Sequence, residues 1–197
     1  MLKRKALIRF FISAILLYAF FSLPISFFRD EYAKFYRATA TKLFSDFRED
    51  GFVRFDKLNE ELDTRIGIGN KKLLDENNRT QLLYSPLSSK SIGYLPTILF
   101  ISLLLASPIS WRRKLPAFII GFCLTTSIVM FKTWIRILYL AESTSWLQLS
   151  TYSDSNIEKI KFIYLNFANY PAPSLFLVTA IWMMVCFRRS DFGKEVG

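Results

Sequence analysis

Three side chains that could do chemistry lie in one apolar stretch of the sequence: Cys123, Lys132 and Arg136. A cysteine thiolate is a nucleophile, whereas lysine and arginine bind anionic groups such as phosphates and carboxylates. Because Lys132 and Arg136 are four residues apart, both project from one face of a helix. A charge within an apolar span usually faces protein, water or an anion. The pair therefore predicts an anchor or internal ion pair, a subunit contact, or a site for an anionic lipid or glycan.

Cys123 is a weak candidate for a nucleophile, because the base that would activate it is missing. None of the 197 residues is histidine, the commonest general base and proton shuttle. Thirteen residues separate Cys123 from Arg136, so on a straight helix the two side chains point about 140° apart. We expect Cys123 and Cys186 to act as small hydrophobic residues within apolar spans, with Cys123 in lipid-facing or helix-facing surroundings that keep its thiol neutral. A cysteine peptidase or transferase that uses Cys123 and Arg136 is the enzymatic alternative.

The acidic side chains between residues 56 and 76 are the remaining candidates for a reactive site, as metal ligands. The segment from Arg29 to Gly93 carries twelve basic and eleven acidic residues, so solvated ion pairs are the commoner outcome. The sequence has no glycine-rich phosphate loop, nucleophile elbow or zinc spacing. We therefore expect no metal and no cofactor. The carboxylates concerned are Asp56, Glu60, Glu61, Asp63, Asp75 and Glu76.

The elements that must position these residues are apolar segments long enough to enter or cross a bilayer. Hydrophobic residues make up 52% of the chain, and there are 20 phenylalanines. The net charge of +10 is concentrated beside these segments, as the positive-inside bias requires. A nucleic-acid partner is not expected, because no basic face with interleaved aromatic residues occurs on a soluble module. The sequence predicts a mainly α protein of the bacterial inner (cytoplasmic) membrane, with four transmembrane helices and both termini in the cytoplasm.

The predicted segments follow the apolar runs and the basic clusters. The first apolar run, Ala6–Phe28, has about 23 residues, too many for a cleaved signal peptide. The predicted order is a tail and first helix (1–28), an outer α+β domain (29–94), the second helix (95–111), a basic turn with the third helix (112–140), an outer loop with an amphipathic helix (141–169), and the fourth helix with a tail (170–197). Lys132 then lies roughly 25 Å from the cytoplasmic start of its helix, near the outer interface. Glu142, Asp154 and the carboxylates of the outer domain are its candidate partners.

The outer domain is predicted to contain one amphipathic helix and three short antiparallel strands. Apolar residues recur at helical spacing from Tyr32 to Phe47, and Gly51 then changes the pattern to alternation. The strands are predicted at 51–58, 61–70 and 79–87, with turns at Gly67–Gly69 and Gly69-Asn70. We expect the partner-binding or anionic-ligand-binding surface to comprise Tyr32, Phe35, Tyr36, Phe44, Phe47, Lys132 and Arg136.

The chain resembles small bacterial membrane proteins that are encoded with exosortases, the relatives of archaeosortase. The likeness lies in the N-terminal anchor, in FYRATATKLF…VRF…LDTRIGIGN and in GYLPTILFISLLLASPISWRRK. Exosortases are thought to use catalytic Cys, Arg and His residues. Cys123 and Arg136 resemble the first two, but they are too close in sequence, and the chain has no histidine. The resemblance implies a non-catalytic subunit that contacts lipid and an exosortase-like membrane protein, in protein sorting or exopolysaccharide export.

Overall fold

The computed structural model describes residues 4–23, 26–58, 62–74 and 78–187. Within these ranges the chain forms six α-helices and one four-stranded antiparallel sheet, so the predicted mainly α fold with a small sheet is confirmed. The elements are α1 (Arg4–Ser22), α2 (Ser26–Phe44), β1 (Asp46–Phe47), β2 (Gly51–Lys57), β3 (Thr64–Leu74), β4 (Thr80–Leu87), α3 (Leu95–Ala106), α4 (Trp111–Ser143), α5 (Asp154–Ile163) and α6 (Ala172–Cys186). π-Helical turns at Lys90–Tyr94 and Tyr164–Ala168 precede α3 and follow α5.

The long helix α4 is the single helix of the described ranges that is long and apolar enough to cross a bilayer by itself. The first two helices pass the same test only as a bent pair, and so do α5 and α6, with bends of 79° and 68°. Helix α3 and the π-helical turn before it form a shorter apolar helix, Lys90–Ala106. Length and composition thus support between one and three spans, and the four separate spans predicted from hydropathy are not established.

The predicted amphipathic helix ends earlier than expected. Helix α2 stops at Phe44, and Phe47 lies in β1, where it pairs with Gly51 of β2. The chain reverses at Arg48, whose φ of 61° is in the left-handed region. A side chain at position 51 would collide with the Phe47 carbonyl, so glycine permits this close pairing. Phe47 therefore enters the core from a hairpin and not from a helix.

The predicted turns at Gly67–Gly69 and Gly69-Asn70 are wrong, because β3 runs without interruption through these residues. Gly67 pairs with Arg54 and Tyr84 on the neighbouring strands, and Gly69 pairs with Phe52 and Leu82. A Cβ atom at Gly69 would come within 2.7 Å of the Phe52 ring and 2.9 Å of the Leu82 side chain. The glycines therefore make room for large cross-strand neighbours instead of turning the chain.

Two groups of buried side chains divide the molecule. The outer group packs α2 and the sheet against the C-terminal half of α4 and the loop that follows it; it includes Tyr36, Phe55, Ile66, Ile68, Val129, Ile137 and Leu147. The second group lies among α1, α3, α4 and α6; it includes Phe10, Phe100, Leu104, Val178 and Trp182. Because α4 contributes to both groups, it connects the outer domain to the other apolar helices.

The basic turn between α3 and α4 is closed by polar bonds at the end of α3. Lys114 Nζ donates to the Leu105 carbonyl at 2.6 Å, which places a cation at the C-terminus of α3. Trp182 Nε1 of α6 donates to Ser107 Oγ at 2.8 Å. These bonds hold α3, α4 and α6 together at the end of the bundle opposite to the sheet.

Candidate functional site

Lys132 is buried between α4 and the start of α6. Its Nζ donates to the Tyr170 carbonyl at 2.7 Å and to Ser174 Oγ at 2.8 Å, and it lies 5.7 Å from the centre of the Phe167 ring. Both hydrogen-bond partners are uncharged, so among the described residues the expected ion pair with Glu142 or Asp154 is not formed. Lys132 instead occupies the bend between the π-helical turn and α6, where it satisfies a carbonyl that the broken helix leaves unpaired.

Arg136 stands on the same face of α4 and bonds to the end of β4. Its Nη2 donates to Ser85 Oγ at 3.0 Å and to the Pro86 carbonyl at 2.8 Å. Its Nε is buried without a hydrogen-bond partner. The two side chains predicted to act as a pair therefore bind different elements, because Lys132 reaches α6 and Arg136 reaches the sheet.

Glu142 and Arg48 form a buried ion pair that the sequence did not single out as a site. The Glu142 side chain has no exposed surface, and its carboxylate accepts from the Arg48 guanidinium. The same carboxylate accepts from Ser150 Oγ at 2.8 Å and from the backbone N–H groups of Thr151 and Tyr152. Arg48 also donates to the Leu149 carbonyl. The pair joins the β1–β2 hairpin to α4 and to the loop after it.

Two tyrosines, Tyr32 and Tyr36, connect α2 to the apolar helices. The Tyr36 hydroxyl bonds to Thr133 Oγ1 of α4 at 2.8 Å, and Thr133 donates to the Val129 carbonyl one turn earlier. Because the Thr133 hydrogen is engaged in this way, Tyr36 is the donor of its bond. Tyr32 packs against the π-helical turn before α3, with its ring 5.7 Å from that of Tyr94. Both predicted site tyrosines therefore hold the fold together, and the Tyr36 side chain has no exposed surface.

We expect Tyr36→Phe to lower the free energy of unfolding by about 1 kcal/mol, because it removes one buried hydrogen bond and leaves Thr133 Oγ1 with one partner fewer. The ring and its packing against Phe55 are retained. Unfolding of the detergent-solubilised protein by SDS, followed by circular dichroism, measures this loss. Tyr84→Phe on the exposed face of the sheet is the matched control and should have no effect.

Two of the three remaining predicted site residues, Phe44 and Phe47, line an apolar groove between the end of α2 and α4. Phe44 and Phe47 line this groove together with Leu43, Trp134, Leu138 and Tyr152, and it encloses about 340 Å³. Phe35 lies apart from it, with its ring 5.8 Å from that of Phe122. Arg48 and Asp46 complete the rim. Because Arg48 is paired with Glu142, the lining has little free positive charge. We call this feature the α2–α4 groove.

Cys123 does not share a space with Arg136. Helix α4 is continuous from Trp111 to Ser143, so thirteen residues place the two side chains about 20 Å apart along its axis. Cys123 is exposed on the side of the helix bundle, and Cys186 is buried.

Of the carboxylates considered as metal ligands, the two that the structure describes, Asp56 and Asp63, do not form a metal-binding cluster. No cluster of metal-binding side chains occurs in the described ranges. Asp63 accepts from the Ser89 N–H at 3.0 Å, from Ser89 Oγ at 2.9 Å and from Thr64 Oγ1, and Asp56 pairs with Arg54. Glu60, Glu61, Asp75 and Glu76 lie outside the described residues. Asp63 thus connects β3 to the start of the π-helical turn before α3.

Comparison with known proteins does not assign the chain to a family: no protein-family model, curated protein or solved structure matches it. Its chemistry therefore has to be judged from its own geometry. That geometry defines a set of apolar helices joined to a small α+β unit by buried polar contacts.

Proposed function

We propose that the chain is a non-enzymatic accessory subunit of the bacterial inner membrane, which holds its outer domain against membrane helices and binds an integral membrane partner. The observation that supports this most is the use of the charged side chains at the outer end of α4. Lys132, Arg136 and Glu142 all bond to other parts of this chain. A catalytic site requires reactive groups that face a common space, whereas these groups connect elements.

In this proposal α1, α3, α4 and α6 are the four membrane-embedded segments, with both termini in the cytoplasm. The 12 residues of α3 span about 18 Å, less than a hydrocarbon core of about 30 Å. The π-helical turn before α3 lengthens it, and contacts with α1, α4 and α6 cover its sides. The basic turn at Arg112, Arg113 and Lys114 is assigned to the cytoplasm by its charge.

We assign the partner contact to the α2–α4 groove, and its occupant to an apolar transmembrane segment of a second protein. Leu43 is 57% exposed and Trp134 is 38% exposed, although both border the buried core. Beside the groove on α4 lies Phe131, which is 48% exposed and has its ring 5.8 Å from that of Trp134, so the exposed apolar surface extends beyond the groove. An almost neutral lining favours an apolar segment over a charged peptide. The resemblance to exosortase-associated proteins supplies the class of partner, an exosortase-type protein of sorting or polysaccharide export.

The test compares the same substitution at two leucines of similar exposure, Leu43 at 57% and Leu74 at 50%. Leu43→Glu places a carboxylate in the groove, and we expect it to reduce recovery of the partner with the detergent-solubilised chain by about tenfold or more. Leu74→Glu, on the sheet, is the control and should leave recovery unchanged, since Leu74 is 50% exposed and lies outside the groove. A photoreactive phenylalanine analogue at position 43 should form an adduct with the same partner.

Two results would contradict the proposal. One is recovery of the wild-type chain alone, as a monomer, from the membranes of its native cells. The other is equal loss of the partner in the Leu43→Glu and Leu74→Glu variants, which would exclude the groove as the contact.

A further inference from the structure

A second hollow lies on the other side of α2, near the bend between α1 and α2. It encloses about 620 Å³ between the first half of α2, the end of β2 and Asp63. Four basic side chains line it: Arg29, Lys34, Arg37 and Lys57. We call it the basic hollow. None of its residues belongs to the α2–α4 groove, and Lys132 and Arg136 do not reach it.

Two of the four cations, Arg37 and Lys57, form no ion pair with a carboxylate of the described residues. Arg37 donates through Nη1 to the main-chain carbonyl of Asp63 at 3.1 Å, which orients the guanidinium and leaves its other N–H groups available. Asp63 also lines the hollow, and its carboxylate accepts hydrogen bonds from Ser89 and Thr64. Lys57, the last residue of β2, is exposed and lines the same space. An orienting carbonyl behind an arginine, with a lysine beside it, is a suitable arrangement for a phosphate.

The other charges of the hollow form pairs at its rim. Lys34 Nζ bonds to Glu31 Oε1 at 2.6 Å, and Arg29 Nε lies 3.9 Å from Asp30 Oδ1. These pairs are exposed, so each contributes little by itself. The cations that remain for a ligand are therefore Arg37 and Lys57, and the one remaining carboxylate is that of Asp63, whose neutral donors stabilise its charge without cancelling it.

The apolar residues of α2 place the basic hollow at the surface of a bilayer. Phe28 and Phe35 are seven residues apart on one face of the helix and are 43% and 38% exposed, and Phe27, at the edge of the hollow, is 66% exposed. Helix α2 turns by 79° from α1, so it can lie along the membrane plane when α1 crosses it. An interfacial helix of this kind buries its aromatic face in the acyl boundary and keeps its basic face among the headgroups.

We propose that the basic hollow binds the phosphate of an anionic phospholipid headgroup in the outer leaflet, with Arg37 and Lys57 as its ligands and Phe27 beside the acyl chains. The site rests on the membrane placement proposed above and does not depend on the protein partner. It would fix the height and rotation of α2, and therefore of the sheet and the α2–α4 groove, relative to the bilayer.

The experiment titrates the purified full chain in mild detergent with phosphatidylglycerol, phosphatidylcholine or inorganic phosphate, and counts bound lipid by native mass spectrometry. We expect phosphatidylglycerol to bind more tightly than phosphatidylcholine, and the double substitution Arg37→Gln/Lys57→Gln to weaken its binding about 30-fold. The matched control is Arg54→Gln/Lys72→Gln, which removes two exposed cations of the sheet that lie outside the hollow. This control should bind phosphatidylglycerol as the wild type does.

Lys57→Gln alone keeps the test decisive if loss of the Arg37 bond unfolds the double variant. It should retain the wild-type melting temperature and weaken phosphatidylglycerol binding about fivefold. Equal affinities in Lys57→Gln, the control and the wild type would overturn the proposal. Equal binding of phosphatidylcholine and phosphatidylglycerol would also overturn it, because the site would then not select a lipid with net charge. Binding of inorganic phosphate without binding of phosphatidylglycerol would overturn it as well, because the ligand would then be a soluble anion. Because no partner is present, these outcomes do not bear on the α2–α4 groove.

Discussion

Replacing Arg48 by alanine is expected to lower the free energy of unfolding by about 3–5 kcal/mol, because it leaves a buried carboxylate without its counter-charge. The Glu142 side chain has 0% exposed surface, whereas 20% of the Arg48 side chain is exposed. Ser150 and two backbone N–H groups would still donate to Glu142, but neutral donors do not replace the charge. The reciprocal change, Glu142→Ala, leaves a guanidinium that can turn towards water, so we expect a smaller loss of about 1.5–3 kcal/mol.

The backbone at Arg48 provides a control within the same position. Its φ of 61° is unfavourable for any residue with a Cβ atom, so Arg48→Gly should be about 1 kcal/mol less destabilising than Arg48→Ala. SDS unfolding of the detergent-solubilised variants, followed by circular dichroism, gives the three free energies. A double-variant cycle of Arg48→Ala and Glu142→Ala should show strong coupling, since the two side chains share one contact. Equal losses in both single variants, with no coupling, would contradict the role given to the buried charge.

The outer domain shows which features of this fold can be predicted from local patterns. Alternation of polar and apolar residues located β2 and β4 closely, because their side-chain period reflects a sheet with one covered face. Reasoning from local spacing also placed Phe47 in a helix, because this aromatic residue continues the helical spacing of α2. The chain leaves the helix at Phe44 and reverses at Arg48, whose φ is in the left-handed region. Gly69 was interpreted as a turn residue because a Gly-Asn pair in a strand has the same local sequence as one in a turn. The reason for glycine at this position is instead the Phe52 ring on the neighbouring strand.

The polar contacts of α4 could be predicted only in part, for a physical reason. A charge in an apolar helix must face protein or water, and this argument correctly orients Lys132 and Arg136. Their partners are residues 38 and 51 positions away in sequence, and Arg48 is 94 positions from Glu142. No local periodicity contains this information. The loop carbonyls that accept from these cations also have no sequence signature, because every residue has one.

Replacing Lys132 by methionine is expected to lower the free energy of unfolding by about 1–3 kcal/mol, since it leaves the Tyr170 carbonyl and Ser174 Oγ unpaired in an apolar environment. Methionine fills most of the volume, so the loss reports the two hydrogen bonds and not a cavity. Ser174→Ala should have a smaller effect, about 0.5–1.5 kcal/mol, and the double variant should destabilise less than the sum, because both changes remove one shared bond. Ser127→Ala is the matched control, since its hydroxyl bonds only within α4 to the Cys123 carbonyl.

This cycle separates an anchoring lysine from a ligand-binding one. If Lys132 holds the start of α6 in place, Lys132→Met should also speed amide hydrogen exchange at residues 172–178, while the control leaves exchange unchanged. A lysine that binds an anionic ligand would behave differently: Lys132→Met would lose the co-purified ligand, keep the stability of the chain and show no coupling to Ser174→Ala. The buried position of Lys132 and its two protein acceptors favour the first result. In that case Lys132 stabilises the bend before α6, and the basic hollow is the site at which an anionic ligand is expected.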